Sequence, residues 1–273
     1  MKAIIFMLTL LILHLSASDT LVFGAISTVE AELMKTKLTP LINYIQNKTG
    51  KTIEFQTGYN YSDTIAKFAT GEFDIGYIGP SPYIKAKKIN PDSLNIIAKL
   101  KNSAKSSFES VIISKKGSSI SKLDDLIDKR FAFGSPNSTL SHYVPMDMLI
   151  KKQLVHKLKC YDFLGRHDRV AQYVIMGRYD TGAIKKSIAQ KYSKYLQVVA
   201  TSRTFPDFMI VANPKIGKEV LDKLENAILG LKDRDILKSL KDSAIGFEKA
   251  KDSDYDELRI IMKNVDEFEK RTH

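Results

Sequence analysis

Residues 71–78 read GEFDIGYI, and the pattern returns at residues 177–184 as GRYDTGAI. Both are G-x-aromatic-D-x-G-x-I. Each follows a short amphipathic stretch and leads into an apolar one, the signature of a helix that stops at glycine before a buried strand. At 273 residues the chain is long enough for two α/β domains with cores of their own. One such joint in each half therefore predicts two lobes of like topology. A cleft between them, at the C-terminal ends of parallel strands, is where α/β proteins hold small ligands.

Working outward, apolar runs at 21–26, 52–57, 73–78 and 94–100 read as strands, separated by helical stretches. Thr39-Pro40 reads as a helix start and Gly50 as its stop, and Ser62-Asp63 and Ser81-Pro82 as two further starts. Residues 101–107, KNSAKSS, are a polar interruption and a candidate crossover between lobes. The alternation then restarts with strands at 108–114, 130–134, 161–164, 179–183 and 196–201. Helices are expected at 121–128 and 168–176 and in the stretch up to Tyr195. From Lys218 onward the pattern is helical and rich in Lys and Glu, with no strand signal. Strict β-α-β-α order argues for mostly parallel sheets covered by helices.

Residues 1–18 carry one Lys, an apolar run from Ala3 and then small residues, the layout of a cleaved secretory signal. The expectation is an exported periplasmic protein without a lipid anchor, because the single cysteine, Cys160, is far from the cleavage site. One cysteine permits no intrachain disulfide and reads as a small buried hydrophobe. The net charge of +11 raises a nucleic-acid reading. The lysines are spread along helix faces among acidic residues, however, and no Arg-rich or aromatic-interleaved motif is present. The charge reads as a solvated surface that draws anions weakly, with no nucleic-acid partner.

Residues 131–145, FAFGSPNSTLSHYVP, read as a strand, a tight turn and a helix start at Ser138 and Thr139. A helix N-terminus offers unpaired backbone N–H groups and partial positive charge, and the hydroxyls of Ser138, Thr139 and Ser141 add donors. His167-Asp168 follows a strand and opens a helix, which places an imidazole at the same cleft. Tyr61 and Tyr77 lie at loop or strand ends of the first half. Asp207 stands where the chain returns to the first lobe, as a carboxylate able to accept from a protonated ligand oxygen. Enzyme motifs are thin. Ser138 with His142 or His167 lacks the G-x-S-x-G elbow, there is no P-loop or H-E-x-x-H, and His156 and His167 are too isolated for a metal site. No catalytic residue, metal or cofactor is expected.

Taken together, these motifs resemble the phosphate, phosphite and phosphonate substrate-binding proteins of ABC transporters. The resemblance runs through Thr39-Pro-Leu-Ile-Asn-Tyr44, through residues 71–83 and through Phe133-Gly-Ser-Pro-Asn-Ser-Thr139. It continues in Gly165-Arg-His-Asp168, residues 177–183 and Asp254-Tyr-Asp-Glu-Leu-Arg259. It implies an α/β, two-lobed type 2 periplasmic-binding fold, each lobe a mostly parallel sheet flanked by helices. Lobe 1 would be residues 19–106 plus 205–273 and lobe 2 residues 107–204. It implies a ligand gripped by an S-T-S-type helix start, here Ser138, Thr139 and Leu140, with Ser141 next, so one hydroxyl is missing or displaced. Tyr61, His167 and Asp207 match the remaining ligand positions, and Phe108 stands where the family has a second tyrosine. Tyr77 and Asp180 are further candidates. The implied partners are a small phosphorus oxyanion and the membrane permease of an importer, with the chain a monomer. The alternative role is an oxyanion sensor for a membrane histidine kinase.

Overall fold

The structure, a computed structural model, describes residues 20–26, 30–103 and 108–272. The expected leader at 1–18 and the middle of the expected crossover lie outside these residues. The first half runs β1 (Thr20–Ala25), α1 (Ala31–Thr49), β2 (Thr52–Thr57), α2 (Tyr61–Thr70), β3 (Ile75–Ile78), α3 (Pro80–Ile89) and β4 (Asn95–Asn102). The chain then crosses to β5 (Ser110–Lys115), β6 (Arg130–Phe133), α4 (Val144–Lys151), β7 (Cys160–Phe163), α5 (His167–Ile175), β8 (Thr181–Lys185), α6 (Lys186–Lys191) and β9 (Leu196–Thr201). It returns through β10 (Met209–Ala212), α7 (Lys218–Leu229), α8 (Arg234–Leu240), β11 (Ala244–Glu248) and α9 (Asp256–Thr272).

Two sheets result. Their orders, β11-β4-β10-β3-β1-β2 and β7-β6-β8-β5-β9, correspond strand for strand when the second is read in reverse, apart from the extra β11. The two lobes thus share a topology, as the repeated motif predicts. Its physical content is the same in both halves. Gly71 and Gly177 end their helices with φ of 78° and 73°, a conformation that favours glycine. Asp74 and Asp180 each accept the amide of the neighbouring strand, Val22 N–H and Arg130 N–H, both at 2.8 Å. A Cβ on Gly76 would overlap the Phe68 ring of α2, and one on Gly182 would lie 2.7 Å from Val170 Cγ1 of α5, so helix and strand touch side chain to backbone. Asp180 is therefore a structural residue. Its carboxylate also holds the Arg130 guanidinium at 2.8 Å, at the strand end away from the cleft, and its candidacy as a ligand residue is withdrawn.

The sheets are mixed rather than mostly parallel. β1 pairs parallel with β2 and β3, and β6 with β7 and β8, but β10 enters the first sheet antiparallel between β3 and β4. β5 does the same between β8 and β9. A strand that has just crossed from the other lobe enters its sheet from the opposite end, so its direction is reversed. The two crossing segments meet in an antiparallel bridge between Phe108 and Phe205. β10 and β11 fall where no strand is expected from the pattern. The fully buried run Met209-Ile-Val-Ala212 has no alternation to read, and β11 is a short edge strand within the Lys-rich C-terminal part.

Two local expectations change. Pro40 lies inside α1 instead of opening it, because Met34, Leu38, Leu41, Ile42 and Ile45 keep one buried stripe going past the proline. Cys160 is exposed on the edge strand β7 rather than buried.

Candidate anion site between the lobes

A small cavity of about 20 Å³ lies between the two sheets, lined by Ile26, Tyr61, Gly79, Pro82, Phe108, Ser138, Thr139, Leu140, His167, Lys185 and Phe208. This is little more than the space one water needs. Of the residues expected at the site, Tyr61, Ser138, Thr139, Leu140, His167 and Phe108 line it. Ile26, Gly79 and Lys185 occupy the C-terminal ends of β1, β3 and β8, as a strand-end cleft requires.

The helix start is not a plain α-helix. Residues Thr139–Tyr143 form a π-turn, in which Tyr143 N–H donates to Ser138 C=O at 3.1 Å, and α4 follows directly. Pro145 is the cause. It has no N–H for the Ser141 carbonyl, which accepts from Gly134 N–H at 3.0 Å instead. The Leu140 carbonyl is freed as well and accepts the Ser110 hydroxyl at 2.7 Å. The widened turn leaves the amides of Thr139 and Leu140 at a helix start, beside the cavity, with no intrahelical acceptor.

Ser138 is the cap. Its Oγ accepts Ser141 N–H at 3.2 Å and lies 3.3 Å from His167 Nε2. The Tyr61 hydroxyl faces the same Oγ; burial raises its pKa, and the neighbouring Ser138 hydroxyl offsets part of that rise. His167 Nδ1 accepts the backbone N–H of Lys185 at 3.0 Å, so the ring proton sits on Nε2, pointing at Ser138. Burial and the nearby Lys185 charge push the imidazole down to about 3, leaving it a neutral donor at physiological pH. Ser138 and His167 are therefore no hydrolytic pair. A serine nucleophile needs an unprotonated Nε2 to take its proton, and here Nδ1 is the acceptor.

Four expected residues lie elsewhere. Ser141 sends its hydroxyl to the Ala183 carbonyl beneath the turn, because Gly134 packs against it with no room for a Cβ. Asp207 accepts Lys241 Nζ at 2.7 Å, Asn102 Nδ2 at 2.8 Å and Phe208 N–H at 2.8 Å. Its carboxylate is spent inside lobe 1 instead of facing a ligand. Tyr77 is buried against Phe208, 4.9 Å between ring centroids, and burial with the Asp207 charge keeps its hydroxyl protonated. It stacks behind the cavity wall. Asp180 holds the strand joint described above.

Ile26, Gly79, Pro82, Phe208 and Lys185 line the cavity without having been expected from the sequence, and Lys185 is the charged one. It follows Ile184, the last position of the second repeat, as Gly79 follows Ile78 of the first, so carrying the repeat one residue further would have found it.

The cavity is covered by bonds that cross between lobes. Ser81, at the start of α3, donates its N–H to Thr139 Oγ1 at 3.0 Å and its hydroxyl to the Asn137 carbonyl at 2.8 Å. Asn137 Nδ2 donates to Ser62 Oγ at 2.9 Å, and Lys85 donates to Asn137 Oδ1. On the far rim, Arg166 bridges Asp168 and Glu30. The C-terminal helix adds a strap: Tyr143 OH donates to Asp266 at 3.3 Å, and His142 Nε2 lies 2.8 Å from Glu269.

Residues 23–255 match the family described as the periplasmic substrate-binding protein of the phosphonate ABC transporter. The chain belongs to that family. It is 24% identical to the phosphate-import protein PhnD of Mycolicibacterium smegmatis, covering 89% of this chain and 85% of the relative. Among solved structures it is similar to PhnD1 of Prochlorococcus marinus in complex with methylphosphonate. That match has a TM-score of 0.81 at 23% identity, over 91% of this chain and 98% of the other. A phosphonate transporter binding protein from Pseudomonas aeruginosa gives a TM-score of 0.82 at 20% identity, over 92% and 88%. Members of this phosphonate-binding family are periplasmic solute-binding components of importers that work with a membrane permease, not enzymes. The family gives no support to the sensor-kinase alternative. Among the described residues, no helix is long and apolar enough to cross a membrane.

Proposed function

We propose that the cavity takes one small phosphorus oxyanion (phosphate, phosphite or a small phosphonate) and that the lobes close over it for delivery to the permease. The observation that carries this is convergence: Tyr61 OH, Ser138 Oγ, His167 Nε2–H and the Thr139 and Leu140 amides all border one space of about 20 Å³. On this reading lobe 1 is residues 19–106 plus 205–273 and lobe 2 residues 107–204, with the Phe108–Phe205 bridge at the hinge. The leader exports the protein as a periplasmic monomer.

The far wall of the cavity narrows the ligand. Ile26, Pro82, Phe108 and Phe208 offer no hydrogen bond, and Phe108 stands where the family resemblance implies a tyrosine donor. A fourth phosphate oxygen turned toward that wall would be buried without a partner, at a cost of about 1–3 kcal/mol. A P–H or P–CH3 group suits it. One relative, PhnD1 of Prochlorococcus marinus, is named a probable phosphite binding protein and has a structure with methylphosphonate, in line with this preference, whereas the Mycolicibacterium smegmatis relative is named for phosphate import. The test is calorimetry with phosphite, methylphosphonate and phosphate. Phosphite and methylphosphonate should bind about tenfold or more tighter than phosphate. Absence of binding by all three at millimolar concentration refutes the oxyanion reading, and equal affinities refute the role of the apolar wall.

A further inference from the structure

Lys185 has a position in the cavity and no partner that explains it. Its ammonium lies 5.3 Å from the centroid of the Phe208 ring, a second lining residue, and among the described residues it makes no hydrogen bond or ion pair. Every other charged group facing it is accounted for. Among the described residues Asp207 is the carboxylate that acts on it, and it is held by Lys241 at 2.7 Å with both side chains buried. Lys37, Lys191 and Lys241 repel the Lys185 charge at longer range, and His167 is neutral. Among the described residues the surroundings of the Lys185 ammonium are thus short of negative charge, beside His167 and the π-turn.

We propose that Lys185 is the charge-selecting residue of this site: its ammonium meets the ligand, so that the cavity prefers a doubly charged phosphorus oxyanion to a singly charged one. This rests on the oxyanion reading and reverses the expectation drawn from Asp207. A carboxylate facing the ligand would demand a protonated oxygen, whereas a cation rewards loss of that proton. The second proton of a phosphorus oxyacid leaves near neutrality, so the choice between one charge and two is made within the working pH range. Opposing effects act on Lys185 itself. Burial and the three lysines push it down to about 8, and Asp207 pushes it up. A bound dianion raises it further, so binding above about pH 8 takes up a proton.

The probes are phosphite, which carries two charges above neutrality, and hypophosphite, a tetrahedral phosphorus anion with only one. Binding of each is measured by calorimetry for the natural protein and for Lys185→Met and Lys185→Gln, at about pH 7.5. Phosphite should weaken on the order of 30-fold or more in both variants, as loss of one partner of a desolvated charge pair requires. Hypophosphite, with half the charge, should weaken by about the square root of that factor, on the order of fivefold, and its retained binding shows that the variant site is intact. In the natural protein phosphite affinity should rise from about pH 6 and fall again above about pH 8, and the fall should vanish in the variants. If phosphite binds and both variants hold it within about threefold, or if both probes weaken equally, Lys185 does not select charge. If neither probe binds the natural protein, the oxyanion reading itself has failed.

Discussion

Replacing His167 with glutamine isolates one proton. In the folded chain the imidazole is 4% exposed and held at about 3 by burial and by Lys185, whereas in the unfolded chain it titrates at its ordinary 6.5. A histidine with a lowered folded pKa contributes stability that is complete above the unfolded value. That stability drains as pH falls below it, because only the unfolded chain gains the proton. Integrating between those two values, the natural protein should lose about 2 kcal/mol between about pH 7 and about pH 5 through this group alone, at up to about 1.4 kcal/mol per pH unit. His167→Gln keeps a side-chain N–H near the Nε2 position but cannot take up a proton. The carboxylates titrate alike in both proteins, so they cancel in the difference. The assay is urea unfolding of both proteins, without ligand, at half-unit steps across that range. The difference in unfolding free energy should close as pH falls, by about 2 kcal/mol over the two units. Parallel curves would refute the argument, and so would a folded-state histidine pKa above about 5.5 by NMR, which would mean that His167 is not the desolvated neutral donor described here.

Two further substitutions separate closure from binding and structure from ligand contact. Ser81→Ala removes hydroxyl bonds to Asn137 and Thr139 that cross between the lobes, and Ser81 itself does not line the cavity. It should raise the apparent Kd for phosphite by about 5- to 30-fold through a less populated closed state, with the unfolding midpoint nearly unchanged. An unchanged Kd would show that these bonds do not hold the lobes shut. Asp207→Asn should cost about 3 kcal/mol in unfolding free energy, because Lys241 is left buried without its carboxylate. Phosphite affinity should hold or improve as negative charge leaves the neighbourhood of Lys185. A loss of affinity larger than about tenfold without loss of stability would put Asp207 back at the ligand.

Much of this protein was legible without coordinates because the information is local. The repeated G-x-aromatic-D-x-G-x-I joint is a helix stop, a strand entry and a carboxylate for the neighbouring amide, all determined within eight residues, and it predicts two lobes of like topology. The strand ends, the Ser138 cap and His167 at the start of a helix follow from the same short-range rules. The direction of β5 and β10 was not legible, since it depends on the chain crossing between lobes and no residue in either strand encodes it. Pro145 has no N–H to continue an α-helix, but the π-turn that results needed Ser110 and Gly134 to take the freed carbonyls.

The candidate site divides along the same line. Sequence by itself determined which chemical groups stand near the ends of the strands: hydroxyls at Ser138 and Thr139, an imidazole at His167, a phenol at Tyr61. Only the tertiary structure decided their charge. Asp207 and Lys185 are equally polar in the sequence, yet Lys241 and Asn102 neutralise the first inside lobe 1 and leave the second facing the cavity. Which ion keeps its charge for a ligand is set by where its counter-ion lies, and that partner, Lys241, stands just past the end of α8, far along the chain.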